Sequence, residues 1–127
     1  MGFVLSNLNP DKLNVGDCAI RAIAEATQKP WRDVYMAVAL QGLRLSDMPS
    51  SNRVWGNYLD EQGYKLNIVP DSCPTCYTIK DFAREYCEGR YVVGTGSHVI
   101  AVVNGDYYDT WDSGEERPMY FWKKVEA

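Results

Sequence analysis

The dominant period of the hydrophobic pattern in this chain changes near Gly89, and this change limits the folds that the chain can adopt. Before Gly89, apolar residues recur at helical spacing in four segments: 17–28, 31–42, 54–62 and 79–88. A strand-like run at 64–70 interrupts them, and residues 1–15 read as irregular. After Gly89 the pattern alternates in four β-rich runs: 90–96, 97–103, 106–112 and 118–125. Helices followed by strands predict an α+β fold in which N-terminal helices pack on a C-terminal antiparallel β-sheet.

The dipeptide Asn104-Gly105 is the strongest turn signal in the chain, because two-residue hairpin turns favour Asn followed by Gly. With these as the central turn residues, His98 faces Trp111 across the hairpin. Partners across a ladder share a face of the sheet, and so do residues two apart along one strand. His98 and Asp109 are therefore expected to be diagonal neighbours on one face, within contact of each other.

Cys18 lies at the start of the first predicted helix, where unpaired backbone N–H groups and the helix dipole favour a thiolate. The same helix places Arg21 and Glu25 on its solvent face. The dipole contributes about 0.3–1 kcal/mol at an exposed site, whereas lowering a thiol pKa by about three units takes roughly 4 kcal/mol. An adjacent imidazolium is the natural source of the difference, and the only histidine of the chain is His98. A Cys–His pair with a carboxylate behind the ring is the arrangement that nucleophilic acyl transfer uses.

Charge and length exclude several classes of protein. With 13 basic and 17 acidic residues the net charge is −4, which argues against nucleic-acid binding because phosphate contacts need clustered Lys and Arg. The 127 residues are the length of a single domain, spanning 1–127. No stretch approaches the roughly 18 apolar residues of a membrane span, and the first residues lack the pattern of a secretory signal. We therefore expect a soluble cytoplasmic protein with no membrane partner and with reduced cysteines.

Three short segments resemble the papain-like cysteine peptidase superfamily. GDCAIRA (16–22) resembles the start of its cysteine-bearing helix, SHVIAVV (97–103) resembles its histidine strand, and DTWD (109–112) is similar to the N-S-W-G motif of papain. The chain order of an early cysteine, a distant histidine and then a carboxylate is also that of the superfamily. The resemblance implies a papain-like fold of the small bacterial or bacteriophage kind.

The resemblance also implies a catalytic triad of Cys18, His98 and Asp109. Cys18 would be the nucleophile, His98 the general base and later the acid, and Asp109 the group that orients the histidine. An aspartate in place of the asparagine of papain is also seen in a bacterial branch of the superfamily. Trp111 would shield the hydrogen bond between the histidine and the carboxylate.

The residue that usually stabilises the oxyanion in this superfamily is missing from the chain. Papain-like enzymes carry a glutamine about six residues before the cysteine, and this chain has Lys12 there. The side chain of Asn14 is the favoured replacement, acting beside the Cys18 backbone N–H. Asn9 and Lys12 itself are the alternatives.

The resemblance implies a hydrolase that cleaves an amide or isopeptide bond of a protein or peptide substrate through a thioester intermediate. This chemistry needs no metal and no cofactor. Two alternatives stay open on the same fold: an acyl transferase or deamidase that uses the same triad, and a non-catalytic binding module. The missing glutamine favours the binding module. The catalytic residues do not reveal which group accepts the acyl group, so they cannot separate hydrolysis from transfer or deamidation.

A different chemistry is open at residues 73–76, which read CPTC. A redox C-x-x-C motif follows a strand and opens a helix, and this one lies between such segments. Zinc usually takes four ligands, whereas this half of the chain offers three cysteines, the third being Cys87, and one histidine. We expect reduced thiols in a turn, with a redox or metal site as the alternative.

Overall fold

The computed structural model describes residues 2–70 and 76–125, and these form an α+β arrangement of four helices and one six-stranded mixed sheet. The helices are α1 (Cys18–Thr27), α2 (Trp31–Leu45), α3 (Asn52–Glu61) and α4 (Ile79–Glu85). The strands are β1 (Gly2–Leu5), β2 (Tyr64–Ile68), β3 (Arg90–Gly94), β4 (Val99–Val103), β5 (Asp106–Asp109) and β6 (Tyr120–Lys124). None of the helices in these two ranges is long and apolar enough to cross a membrane.

The sheet has the strand order β1-β5-β4-β3-β6-β2, and its first strand corrects two expectations. Residues 2–5 form a strand where the sequence predicts irregular structure, and β1 pairs with β5 in parallel, so the sheet is not purely antiparallel. Two contacts hold β1 in place. Phe3 packs on Tyr107 with ring centroids 5.6 Å apart, and the Gly2 backbone N–H donates to Asp106 Oδ1 at 2.9 Å.

The hairpin formed by β4 and β5 has the register that the Asn104-Gly105 turn predicts. Val103 pairs with Asp106, and Ala101 pairs with Tyr108. Both strands are shorter at the far end than predicted, because the ladder stops before it reaches His98 and Trp111. The chain therefore leaves the regular sheet at the point where the predicted site residues lie.

The helices begin within two residues of the predicted starts, but two of them end three residues away from the predicted ends. At α4, Thr78 and Asp81 form a capping box, and the helix stops at Glu85, three residues before the predicted end. Helix α2 continues past Gly42 to Leu45. Gly42 therefore lies inside the helix. A Cβ at this position would lie 2.8 Å from the Asp47 carbonyl oxygen. A glycine is needed there for close approach of the following loop.

Two apolar clusters cover opposite faces of the sheet. The first contains the buried faces of α1, α2 and α3, with Ile23, Val38 and Trp55 among its fully buried residues. The second contains α4, with Phe82 and Tyr107 at its centre. Aromatic residues contribute to both clusters. Helix α1 is thereby held against β4, which brings its first residue to the end of the sheet.

The ring of Tyr120 lies against Gly94 on the neighbouring strand. The two residues are partners in the β3–β6 ladder, and a Cβ on Gly94 would lie 2.0 Å from Tyr120 Cζ. The ring therefore occupies the space that any other side chain at position 94 would fill. This close approach directs Tyr120 into the cavity beside Cys18.

Replacing Gly94 by Ala is expected to lower the free energy of unfolding by about 1–3 kcal/mol, because the added methyl group overlaps the Tyr120 ring. Gly96→Ala is the matched control, since no atom lies within 4 Å of its Cβ position. Urea unfolding followed by tryptophan fluorescence measures both variants. Equal losses of stability in the two would contradict the packing of Tyr120 on Gly94.

Candidate active site

The three residues of the predicted triad meet at one end of the sheet. Cys18 is the first residue of α1, His98 immediately precedes β4, and Asp109 is the last residue of β5. Helix α1 packs against β4 and contacts β5, so its N-terminus lies beside the start of one strand and the end of the other. The predicted site residues therefore come from three separate elements.

A hydrogen-bonded turn fixes the backbone of His98. The Thr95 N–H donates to the His98 carbonyl oxygen at 2.8 Å, and the His98 N–H donates to Thr95 Oγ1 at 3.1 Å. Thr95 is buried. A threonine three residues before the histidine is a local sequence signal for such a side-chain turn, and hydrophobic periodicity does not reveal it.

The Asp109 carboxylate is buried and receives several hydrogen bonds. His98 Nε2 lies 2.6 Å from Asp109 Oδ2, and Ser113 Oγ donates to the same oxygen at 2.7 Å. The backbone N–H of Thr110 donates to Oδ1 at 2.8 Å. Burial alone would raise the pKa of this carboxyl, but the hydrogen bonds from His98 and Ser113 and the charge of the ring lower it. Asp109 is therefore ionised and tied to the histidine, as the hairpin register predicts.

The Cys18 thiol and the His98 ring shift each other's pKa in opposite directions. Burial opposes a thiolate at Cys18, yet the hydrogen bond to His98, its positive charge and the Val99 backbone together lower the thiol pKa. Burial likewise opposes an imidazolium, but hydrogen bonds to Asp109 and Cys18 and their charges raise the pKa of His98 to about 9. Because Nε2 contacts Asp109, Nδ1 is left to face the sulfur. The geometry and charges favour a thiolate–imidazolium pair.

Arg21 also contacts the Asp109 carboxylate, although helical periodicity predicts this residue on the solvent face of α1. Its side chain is 11% exposed and bridges two carboxylates. Nε lies 2.8 Å from Asp17 Oδ1, and Nη1 lies 3.4 Å from Asp109 Oδ1. Asp17 therefore precedes α1 without capping it, because its carboxylate accepts from Arg21 and from Trp31 Nε1 at 3.0 Å. The positive charge of Arg21 also contributes to lowering the pKa of Cys18.

Trp111 covers one side of the histidine ring. The two ring centroids are 5.2 Å apart with an angle of 30° between the planes. The indole itself is 47% exposed, so it separates part of the His98 ring from solvent while facing solvent on its other side. The predicted role of Trp111, shielding the hydrogen bond between His98 and Asp109, stays a prediction.

The three candidates for oxyanion binding differ in their surroundings. Asn14 is exposed and lines the same cavity as Cys18 and His98. Asn9 is buried, and its amide donates to Asp17 Oδ2 at 3.4 Å while its oxygen accepts from the backbone of the following turn. The Lys12 ammonium donates to the Asn7 carbonyl oxygen at 2.8 Å. Of these three residues, Asn14 lines the cavity that also contains Cys18, as a donor to the oxyanion must.

Two cavities of different character flank the Cys18–His98 pair. One, of about 450 Å³, is lined in part by aromatic residues of α2, α3 and β6, namely Trp31, Tyr35, Trp55 and Tyr120. The other, of about 680 Å³, is lined by polar residues that include Asn7, Asn14 and Thr110, together with Trp111. Cys18 and His98 contribute to both, so a bound chain could cross the sulfur from an aromatic side to a polar side.

The CPTC motif at residues 73–76 is only partly described by the structure. Cys73 lies outside the described residues, and Cys76 is disulfide-bonded, so the expectation of a reduced thiol is wrong at Cys76. Cys18 and Cys87 are free thiols. Within residues 2–70 and 76–125, no group of three or more His, Cys, Asp or Glu side chains is arranged to hold a metal ion.

Comparison with known proteins yields no relative: no family model, no curated protein and no solved structure matches the chain. The interpretation of the site rests on its own geometry.

Replacing His98 by Ala is expected to raise the pH at which Cys18 becomes reactive, because burial is then opposed by fewer groups that favour the thiolate. Each unit of increase in the thiol pKa lowers the thiolate fraction at pH 7 about tenfold. The rate of Cys18 alkylation by iodoacetamide, followed by mass spectrometry between pH 4 and 10, gives the midpoint. Cys87 in the same molecule controls for the reagent, and an unchanged midpoint at Cys18 would show that the pair does not exist.

Arg21→Gln should shift the Cys18 midpoint in the same direction by less than His98→Ala does, because Arg21 is the smallest of the favourable contributions to the thiolate. The control is Arg84→Gln, which breaks a mostly exposed ion pair with Asp81 elsewhere on the surface. The same alkylation assay measures both variants. A shift in Arg84→Gln equal to that in Arg21→Gln would mean that net charge, and not the position of Arg21, is responsible.

Proposed function

We propose that this protein is a papain-like cysteine hydrolase that cleaves an amide or isopeptide bond in a protein or peptide. One observation carries the proposal: His98 Nε2 lies 2.6 Å from the buried Asp109 carboxylate, and Cys18 at the N-terminus of α1 lines the same two cavities as the His98 ring. A thiol, an imidazole and a carboxylate joined in this order are the groups that thiol-dependent acyl transfer requires.

The first half of the proposed reaction is acylation of Cys18. The thiolate attacks the carbonyl carbon, and the oxyanion that forms lies near the Cys18 backbone N–H and the side chain of Asn14. The Nδ1 proton of His98 passes to the departing nitrogen as the carbon–nitrogen bond breaks. The products of this half are a free amine, a neutral imidazole and a thioester on Cys18.

The second half is hydrolysis of that thioester. Neutral His98 accepts a proton from water, whose oxygen attacks the thioester carbon, and the carbon–sulfur bond breaks to release a carboxylic acid. The thiolate and the imidazolium are then restored. Asp109 keeps Nε2 in place through both halves, and the proposed route calls for no metal or cofactor.

The proposed papain-like assignment draws support from the elements that carry the three residues. A helix beginning at the cysteine packs on a hairpin whose two strands lead to the histidine and the carboxylate. Two features depart from the superfamily pattern: Lys12 replaces the glutamine, and β1 joins the sheet in parallel. Neither feature touches the sulfur, the ring or the carboxylate.

Cleavage of a mixed peptide library is expected to be lost completely in Cys18→Ala, because the proposed acyl intermediate forms on the Cys18 sulfur. Cys87→Ala is the matched control, since Cys87 is free and exposed, and it should cleave as the wild type does. Mass spectrometry of the new peptide ends measures both. The rate should fall above about pH 9, where His98 loses the proton that the leaving nitrogen needs.

The same digest separates the alternatives. Products joined to an added amine, or a mass gain of about one unit at glutamine without chain cleavage, would assign the triad to transfer or deamidation. Equal product lists from wild type and Cys18→Ala, together with equal alkylation of Cys18 and Cys87 at pH 7, would overturn the enzyme proposal in favour of a binding module.

A further inference from the structure

A second apolar cavity continues from the aromatic one and leads away from Cys18. It has a volume of about 460 Å³ and shares Asn52, Trp55 and Tyr120 with the aromatic cavity. The two meet where Asn52 Nδ2 donates to the Tyr120 hydroxyl at 3.4 Å. We call the second cavity the distal groove.

The floor of the distal groove is formed by two alternate rungs of the β2–β6 ladder, whose side chains share one face of the sheet. Leu66 on β2 pairs with Trp122 on β6, and Ile68 pairs with Tyr120. Trp122 packs closely on α3, because a Cβ on Gly56 would lie 2.9 Å from its Cζ2. These side chains therefore form a continuous apolar surface beside the helix.

Two of the floor residues are uncovered by the fold. Tyr64, Leu66 and Ile68 share one face of β2 because side chains alternate along a strand. Tyr64 is buried, whereas Leu66 is 45% exposed and Ile68 is 72% exposed. An uncovered apolar surface next to a cleft is typical of a binding site.

The spacing of this surface matches an extended polypeptide. Tyr120 and Trp122 lie two residues apart on one strand face, which is about 7 Å, and the same holds for Leu66 and Ile68. Side chains at alternate positions of an extended ligand recur at the same interval. Such a ligand could place one bulky apolar side chain over each rung.

We propose that the distal groove binds the substrate of the candidate active site, as an extended polypeptide segment with bulky apolar side chains at alternate positions. This inference rests on the proposed function, because it takes Cys18 as the group that the bound segment reaches. Continuity through Asn52 and Tyr120 joins the groove to the sulfur. The substrate class is then an unfolded or unstructured stretch of protein and not a small amide.

The chemistry of the groove favours this occupant over a second copy of the chain or a lipid surface. Ten residues line it, whereas a stable dimer interface takes about 20–30 residues on each side. Its lining has one basic residue, Arg53, and one acidic residue, Asp60. Anionic membranes attract clusters of several basic residues, which this lining does not provide.

The test measures peptide binding without turnover. An eight-residue fluorescent peptide with leucine at alternate positions is titrated against Cys18→Ala, and a peptide in which serine replaces the leucines is the ligand control. Adding Ile68→Ser should weaken binding of the leucine peptide about tenfold, since one buried aliphatic contact is lost. Leu43→Ser is the matched control, because Leu43 is 77% exposed on α2 and should leave the affinity unchanged.

A second measurement links the groove to the sulfur. In the protein with Cys18 intact, the leucine peptide should slow alkylation of Cys18 but not of Cys87, and Ile68→Ser should remove this protection. Equal affinities in Ile68→Ser and Leu43→Ser, or an Ile68→Ser effect confined to self-association in sedimentation, would overturn the groove proposal. Binding and protection that depend on Ile68, without cleavage by the wild type, would instead refute the proposed hydrolase and leave a peptide-binding groove.

Discussion

The buried carboxylate of Asp109 is the interaction on which the arrangement of the site depends. A carboxylate that is 1% exposed is costly unless it is paired and hydrogen-bonded. Here it accepts from the ring of His98, from the hydroxyl of Ser113 and from the guanidinium of Arg21. These partners come from the start of β4, the loop after β5 and helix α1. One desolvated charge therefore holds together the three segments whose meeting brings the sulfur to the imidazole.

The charged groups around Asp109 alternate in sign along a chain of contacts. The Cys18 thiol, whose pKa is lowered beside His98, is followed by the His98 ring, which contacts Asp109. Asp109 contacts Arg21, which also contacts Asp17. In a buried site each charge is stabilised by neighbours of opposite sign. Arg21 thus acts in two ways. It offsets part of the negative charge that holds the proton on His98, and it adds positive charge near the sulfur. Both effects link the protonation of the pair to a residue that touches neither the ring nor the thiol through a hydrogen bond.

Several parts of this arrangement could be predicted from local sequence signals. The Asn104-Gly105 turn determines the register of its hairpin, and the register brings His98 and Asp109 together. Strand β1 could not be predicted in this way, since it is stabilised by pairing with β5, about 100 residues along the chain. Helical periodicity also misassigned Arg21 to solvent. Periodicity locates the apolar face of a helix, but it cannot reveal a buried carboxylate from another element that meets the polar face.

The position of the sulfur at a boundary between unlike surfaces follows from the same geometry. The N-terminus of helix α1 lies at the edge of the aromatic cavity. Residues of the loop before α1, Asn7 and Asn14 among them, line the polar cavity that Cys18 also lines. Gly94 lets the Tyr120 ring cross β3 and extend the aromatic surface toward the sulfur. Trp122, two residues further along β6 on the same face, continues that surface under α3. The aromatic cavity and the distal groove thus form a continuous apolar surface on one side of Cys18, and the polar cavity lies on the other side. A polypeptide whose apolar residues lie on that surface would be oriented before its carbonyl group reached Cys18, because the polar cavity offers no equivalent surface.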